Sequence, residues 1–293
     1  MRALVLSGGG GHGAYQVGAL QHLICDEGRE YDVICGVSVG AINAACLAQY
    51  PKGKLKDGLI ELAAFWDNIT TRKVYRKRAF GMLSAMWSES VFDSSPLEEL
   101  ISANLDQEKV HASGRKLRLG CVCWETGEYR AVTEQEDKLD RWVIASASYP
   151  VFFKPVTIGG LQWSDGGMRH VTPIKEALDA GCLEVDAIIC EDVDQLPPWS
   201  AQGKNALPGY LERFISIILK ELAHTDLEVV GVRNDYAKLI EKYAGAKLSV
   251  QEPSCELAGS SLTFDAEDIA VNMVFGYEDA KAGKATVYRG GAE

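Results

Sequence analysis

A surplus of positive charge is what this sequence most plainly lacks: 30 Lys and Arg stand against 41 Asp and Glu, a formal net charge of −11. A duplex-binding face needs cations that displace counterions from phosphate, so no nucleic acid partner is expected. No apolar run nears the roughly 20 residues that cross a bilayer. The first residues, MRALVL, read as a strand and leave no basic and apolar leader, so no secretory signal peptide is expected. These absences together lead to the expectation of a cytoplasmic protein, soluble or peripheral at a membrane. No Pro/Ser-rich or like-charged linker divides the 293 residues, which suits a single domain over 1–293. Cysteine is not scarce, but its eight positions (25, 35, 46, 121, 123, 182, 190, 255) lie mostly in apolar stretches, as buried free thiols of a reducing compartment would. Cys121 and Cys123 form a lone C-x-C pair with no second pair to complete four ligands, so neither a metal nor another cofactor is expected.

What is present is an ordinary globular mixture, 47% hydrophobic and 24% charged. Apolar runs alternate with helical periodicity. Strands are predicted at 3–6, 32–35, 116–124, 129–133, 185–190 and 247–251. Helices are predicted at 14–27, 39–49, 55–66, 96–103, 174–180, 207–223, 227–243 and 266–282. Strand, helix, strand, helix implies an α/β fold with parallel strands joined by crossover helices. Two stretches break the pattern. Between 70 and 92, Arg72, Lys73, Arg76, Lys77 and Arg78 precede an apolar patch of Phe80, Met82, Leu83, Met86 and Trp87. That combination reads as an insertion or lid, either an interfacial anchor for anionic lipid or a solvated turn before a packed helix. The segment 196–208, with Pro197, Pro198, Trp199 and Pro208, reads as a loop. In the 207–223 helix, Leu211, Phe214, Ile215, Ile218, Leu219 and Leu222 form one stripe, expected to pack on the core.

Two motifs carry chemistry. The run Ser7-Gly8-Gly9-Gly10-Gly11-His12-Gly13 joins a strand to a helix. Gly8, Gly10 and Gly13 match a dinucleotide fingerprint, but the acidic residue that fingerprint wants after the second strand is absent: Glu30 and Asp32 precede the apolar run. The other reading is an oxyanion hole, in which the N–H groups of Gly9, Gly10 and Gly11 aim at one developing negative oxygen. The segment Asp32-Val33-Ile34-Cys35-Gly36-Val37-Ser38-Val39-Gly40 favours it. This is a strand entering G-x-S-x-G, a tight elbow that lifts Ser38 while Gly36 and Gly40 let neighbouring chain pass.

A serine nucleophile needs a base. Of His12, His22, His111, His170 and His224, none sits on a late loop after a strand. His22 falls in a predicted helix and His111 in a polar loop. Asp165 fits better, because Gly166 and Gly167 hold its carboxylate in a tight turn. At this point the chain resembles the patatin-like phospholipase family. Gly8 to Gly13 is similar to that family's glycine-rich loop, Gly36 to Gly40 to its G-x-S-x-G, and Asp165 to Gly167 to its D-G-G/A. Ala145-Ser146-Ala147-Ser148-Tyr149-Pro150 resembles its A-S-x-x-x-P stretch, and 262–280 its closing helix.

The resemblance implies a three-layer α/β/α fold with a mainly parallel central sheet. It also implies a Ser38–Asp165 catalytic dyad acting on a phospholipid, lysophospholipid or other lipid ester. One departure stands out: the family carries Arg or Lys where this chain has His12, a side chain only partly charged near neutral pH. Transacylation to an alcohol in the same site, or lipid binding without turnover, are the alternative readings.

Overall fold

The computed structural model describes residues 1–77, 90–190 and 245–289, together with Arg213, Phe214, Ile217, Ile218, Leu222 and Asp226. Strands β1 (Arg2–Leu6) and β2 (Val33–Gly36) turn Leu4, Leu6 and Ile34 to one face of a sheet and Ala3, Val5, Val33 and Cys35 to the other. Both sets are buried, which is why these strands read as unbroken apolar runs. On the first face pack α1 (Gly13–Leu20), continued by a π-helical stretch Gln21–Asp26, with α2 (Val39–Ala48) and α3 (Leu55–Asn68). A short α4 (Thr71–Val74) leads into a two-residue ribbon, β3 (Arg76–Lys77) against β4 (Phe92–Asp93). Helices α5 (Ser95–Asn104) and α6 (Gln107–Ser113) then lead to β5 (Lys116–Cys123).

The rest of the chain completes the sheet: β6 (Tyr129–Thr133), α7 (Leu139–Ser146), β7 (Val156–Ile158), β8 (Leu161–Asp165), α8 (Ile174–Asp179), β9 (Glu184–Ile188), β10 (Lys247–Gln251), α9 (Ala266–Lys281) and β11 (Thr286–Arg289). Its centre is parallel, in the order β10, β9, β1, β2, β5. Antiparallel strands finish both edges, β11 on one side and β6, β8 and β7 around β5 on the other. Residues Ile174, Ala177 and Leu178 of α8 cover the second face. The sheet is thus flanked by helices, as the alternation of strand and helix predicts.

One detail of register positions the site. β2 pairs with residues 116–119 of β5, and β8 with residues 121–123. β6 already occupies the opposite edge of β5 over 118–122. β2 and β8 therefore share one edge of β5 and meet end to end, Gly36 opposite Leu119 and Asp165 opposite Cys121. Gly120 lies between them, and a Cβ there would come within 2.6 Å of Val37 Cγ2. A glycine inside a strand commonly marks such a close approach.

Some expectations need correcting. His111 lies in the last turn of α6, not in a loop; Asp106 caps that helix by accepting from the N–H groups of Glu108 and Lys109. Cys25 and Cys255 are exposed, whereas Cys35, Cys121, Cys123, Cys182 and Cys190 are buried; all eight thiols are free. Phe214 and Ile218 are exposed, so only Leu222 of the described stripe residues packs on a core cluster. Arg78 and the apolar patch Phe80 to Trp87, the loop expected at 196–208, and most of the helices expected at 207–223 and 227–243 lie outside the described residues.

Candidate active site

Ser38 sits between β2 and α2 with φ 58° and ψ −129°, a conformation that L side chains rarely adopt. The surrounding glycines permit it. A Cβ on Gly36 would lie 2.2 Å from the Gly40 carbonyl oxygen, and one on Gly40 would lie 2.3 Å from that of Leu6. The Ser38 N–H donates to Ser146 Oγ at 3.2 Å, and that hydroxyl donates onward to the Gly120 carbonyl at 2.7 Å. Ser38 also caps α2, whose first-turn N–H groups put the positive end of a ten-residue helix beside the hydroxyl.

Asp165 ends β8 and is fully buried. Its Oδ1 accepts from the Gly167 N–H at 2.8 Å, and its own N–H donates to the Ser148 carbonyl at 3.1 Å. Oδ2 makes no hydrogen bond of standard geometry among the described residues. Burial raises the carboxyl to about 7; the Ser38 hydroxyl, then the Gly167 N–H, oppose that rise. Serine and carboxylate are therefore neighbours. The A-S-A-S stretch explains itself here: Ser146 holds the Ser38 amide and Ser148 holds that of Asp165. The sequence marks Ser146 only by family resemblance, and Gly120 only as a glycine in a strand.

The glycine loop lies beside Ser38. A Cβ on Gly8 would sit 3.3 Å from Ser38 Cβ. Gly8 N–H is engaged with the Val171 carbonyl and His12 N–H with that of Gly9. Gly11 N–H donates to the Ser261 carbonyl at 2.8 Å. That bond removes Gly11 from the three expected oxyanion donors and leaves Gly9 and Gly10, whose N–H groups have no partner among the described residues. Ser261 and Thr263 press on the loop from the far end of the chain: Cβ atoms on Gly10 and Gly11 would lie 2.0 and 2.2 Å from their carbonyl oxygens. The His12 ring is buried near Gly259, Asp268 and Glu256. Burial outweighs those influences and lowers its pKa, so the imidazole is neutral at pH 7 rather than partly charged. Gly13 opens α1, where Asn43, Gln16 and Trp66 form a satisfied chain: Trp66 Nε1 donates to Asn43, and Asn43 to Gln16 and to the Gly13 carbonyl.

Gly9, Gly10, Ser38 and Val39 floor a pocket whose walls are apolar: Ile42, Phe65, Trp66, Ile69, Val74, Leu97, Phe152, Phe153, Leu262 and Phe264 among them. No histidine among the described residues lines it. Such walls suit a hydrocarbon chain laid across Ser38.

Compared with known proteins, residues 4–178, more than half of the chain, match the family model for patatin-like phospholipases. The chain belongs to the patatin-like phospholipase family. A curated relative of this patatin-like chain, the uncharacterized protein YjjU of Escherichia coli (strain K12), is 24% identical over 208 residues, 67% of this chain and 54% of that protein. The chain thus spans about half the length of the curated relative it matches. Among solved structures, VipD from Legionella pneumophila aligns with a TM-score of 0.42 at 13% identity, over 98% of this chain and 68% of that one.

Proposed function

We propose that this protein is a serine acyl hydrolase of lipid esters that works through a Ser38–Asp165 dyad. The observation that carries the reading is the pairing of a strained, pocket-lining Ser38 with a buried carboxylate whose Oδ2 has no other partner among the described residues. In water a carboxyl with a pKa near 4 is a poor base for a hydroxyl. At about 7, Asp165 is matched to neutral pH.

The chemistry then follows in two transfers. Ser38 Oγ attacks the ester carbonyl as Asp165 Oδ2 takes its proton, and the Gly9 and Gly10 N–H groups receive the oxyanion. The C–O bond breaks, the alcohol leaves with the proton from Asp165, and the acyl group stays on Ser38. Water repeats the attack, giving its proton to Asp165; the acid departs and the proton returns to Ser38 Oγ. The apolar walls hold the acyl chain, and the helix α2 N-terminus favours the developing negative charge. Hydrolysis of a p-nitrophenyl ester and of a mixed lipid extract by wild type, Ser38→Ala and Asp165→Ala tests the proposal. Both variants are expected to lose at least ~10³-fold in kcat; undiminished turnover in either would remove that residue from the mechanism.

A further inference from the structure

Resting on the acyl-hydrolase reading, we propose that the exposed cations of α4 and β3 form a rim that docks the pocket mouth on an anionic lipid bilayer. The segment faces two ways. Val74 is buried and lines the pocket, while Arg72, Lys73, Arg76 and Lys77 are exposed. Lys73 Nζ meets only the Asn68 carbonyl, at 2.7 Å, and none of the four has a carboxylate partner among the described residues. Elsewhere Arg2, Arg29, Arg115, Arg118, Arg130 and Arg141 each meet an acid. These are four cations within six residues, without a carboxylate partner among the described residues, in a chain of net charge −11.

Their position gives them a use. Thr71 exchanges hydrogen bonds with Phe264, its Oγ1 accepting at 3.0 Å from the Phe264 N–H and its own N–H donating at 3.2 Å to the Phe264 carbonyl. Tyr75 Oη donates to the Leu262 carbonyl at 2.7 Å. Leu262 and Phe264 are pocket walls. The rim is therefore fixed to the wall of the acyl pocket. A lipid whose phosphate rests on this rim has its acyl chains beside the segment that carries Val74 into the apolar pocket, and a negatively charged leaflet complements the four cations. Whole-chain charge does not oppose this, because it is screened beyond about 10 Å at 0.1 M salt while contact charges are not.

The test is vesicle sedimentation with the full chain carrying Ser38→Ala, so that no lipid is consumed. Phosphatidylcholine vesicles with and without phosphatidylglycerol are compared, and the four-fold charge reversal Arg72→Glu, Lys73→Glu, Arg76→Glu and Lys77→Glu is added to the same background. Expected is binding to the anionic vesicles that falls steeply with salt and drops on the order of 100-fold in the reversal variant. Equal binding to both vesicle types, or binding untouched by the reversal, overturns the proposal. A thermal melt establishes that the variant is folded; if it is not, the lipid and salt dependence of the parent chain decides alone. Sedimentation needs no turnover, so a failed rim shows in the pellet, whereas a failed acyl-hydrolase reading shows in ester hydrolysis by the Ser38 chain.

Discussion

The two glycine-rich turns of the site follow neighbouring parallel strands and face one pocket, yet they use glycine differently. In the 36–40 turn the crowding comes from the turn itself and from the strand beside it: the Gly40 carbonyl crowds Gly36, and the carbonyls of Leu6 and Ser7 crowd Gly40. In the 8–13 loop it comes from outside, because Gly10 and Gly11 lie under the carbonyls of Ser261 and Thr263. The first turn is an elbow braced against the end of β1 that fixes Ser38. The second is a loop pressed by an outside segment, where the N–H groups of Gly9 and Gly10 have no partner among the described residues while that of Gly11 is tied down. A motif can thus look complete in sequence while one of its members serves the clamp rather than the pocket.

That contrast breaks if the two turns respond alike to an added methyl. Gly40→Ala drives a Cβ into β1 with nothing soft to yield, so loss of soluble, cooperatively melting protein is expected, a destabilisation above about 3 kcal/mol. Gly10→Ala, at φ 56° and 2.0 Å from the Ser261 carbonyl, must push that external segment aside, and is expected to leave a folded protein with a clearly lower Tm. Its kcat falls ~10²–10³-fold as one oxyanion donor is displaced, by steady-state ester hydrolysis. Asp165 belongs to the elbow side of the comparison, and its effect on stability sharpens it. The carboxyl titrates at about 7 in the folded state and near 3.8 when unfolded, so the folded state holds the proton more tightly. Stability from this group is greatest below pH 4 and is lost as pH rises through 7. Asp165→Asn is therefore expected to melt like wild type at pH 4 and to be more stable at pH 8, by at most ~4 kcal/mol. The smallest effect is expected from Ser146→Ala, which removes the acceptor of the Ser38 N–H: kcat down about tenfold with KM little changed, and about 1–2 kcal/mol of stability.

The elbow was legible because its requirements are local and steric. A strand, two glycines and a serine at fixed spacing leave few alternatives, and the buried runs of β1, β2 and β9 mark themselves by composition. Asp165 was legible as a carboxylate in a glycine-held turn facing Ser38, but not the strand pairing that underlies its approach. That approach depends on β8 sharing an edge of β5 with β2, and Leu161–Asp165, alternating apolar with Gln and Ser, carries a weak strand signal. Helix α7 was missed for a related reason, since the run Trp142-Val143-Ile144 in eight residues suits a strand as well as a helix. The occupation of Gly11 by Ser261 and the burial of His12 under the 256–268 segment are long-range events that no local pattern encodes.

The central claim is that burial makes Asp165 a competent base for Ser38. Its most direct measurement is the rate at which a fluorophosphonate probe labels Ser38 as a function of pH, in wild type and in Asp165→Asn. The account predicts a wild-type rate that climbs with pH and levels off above an apparent pKa of about 7, and a variant at least ~10²-fold slower with no break there. A wild-type break near 4, or a variant that labels with the wild-type profile, would contradict it.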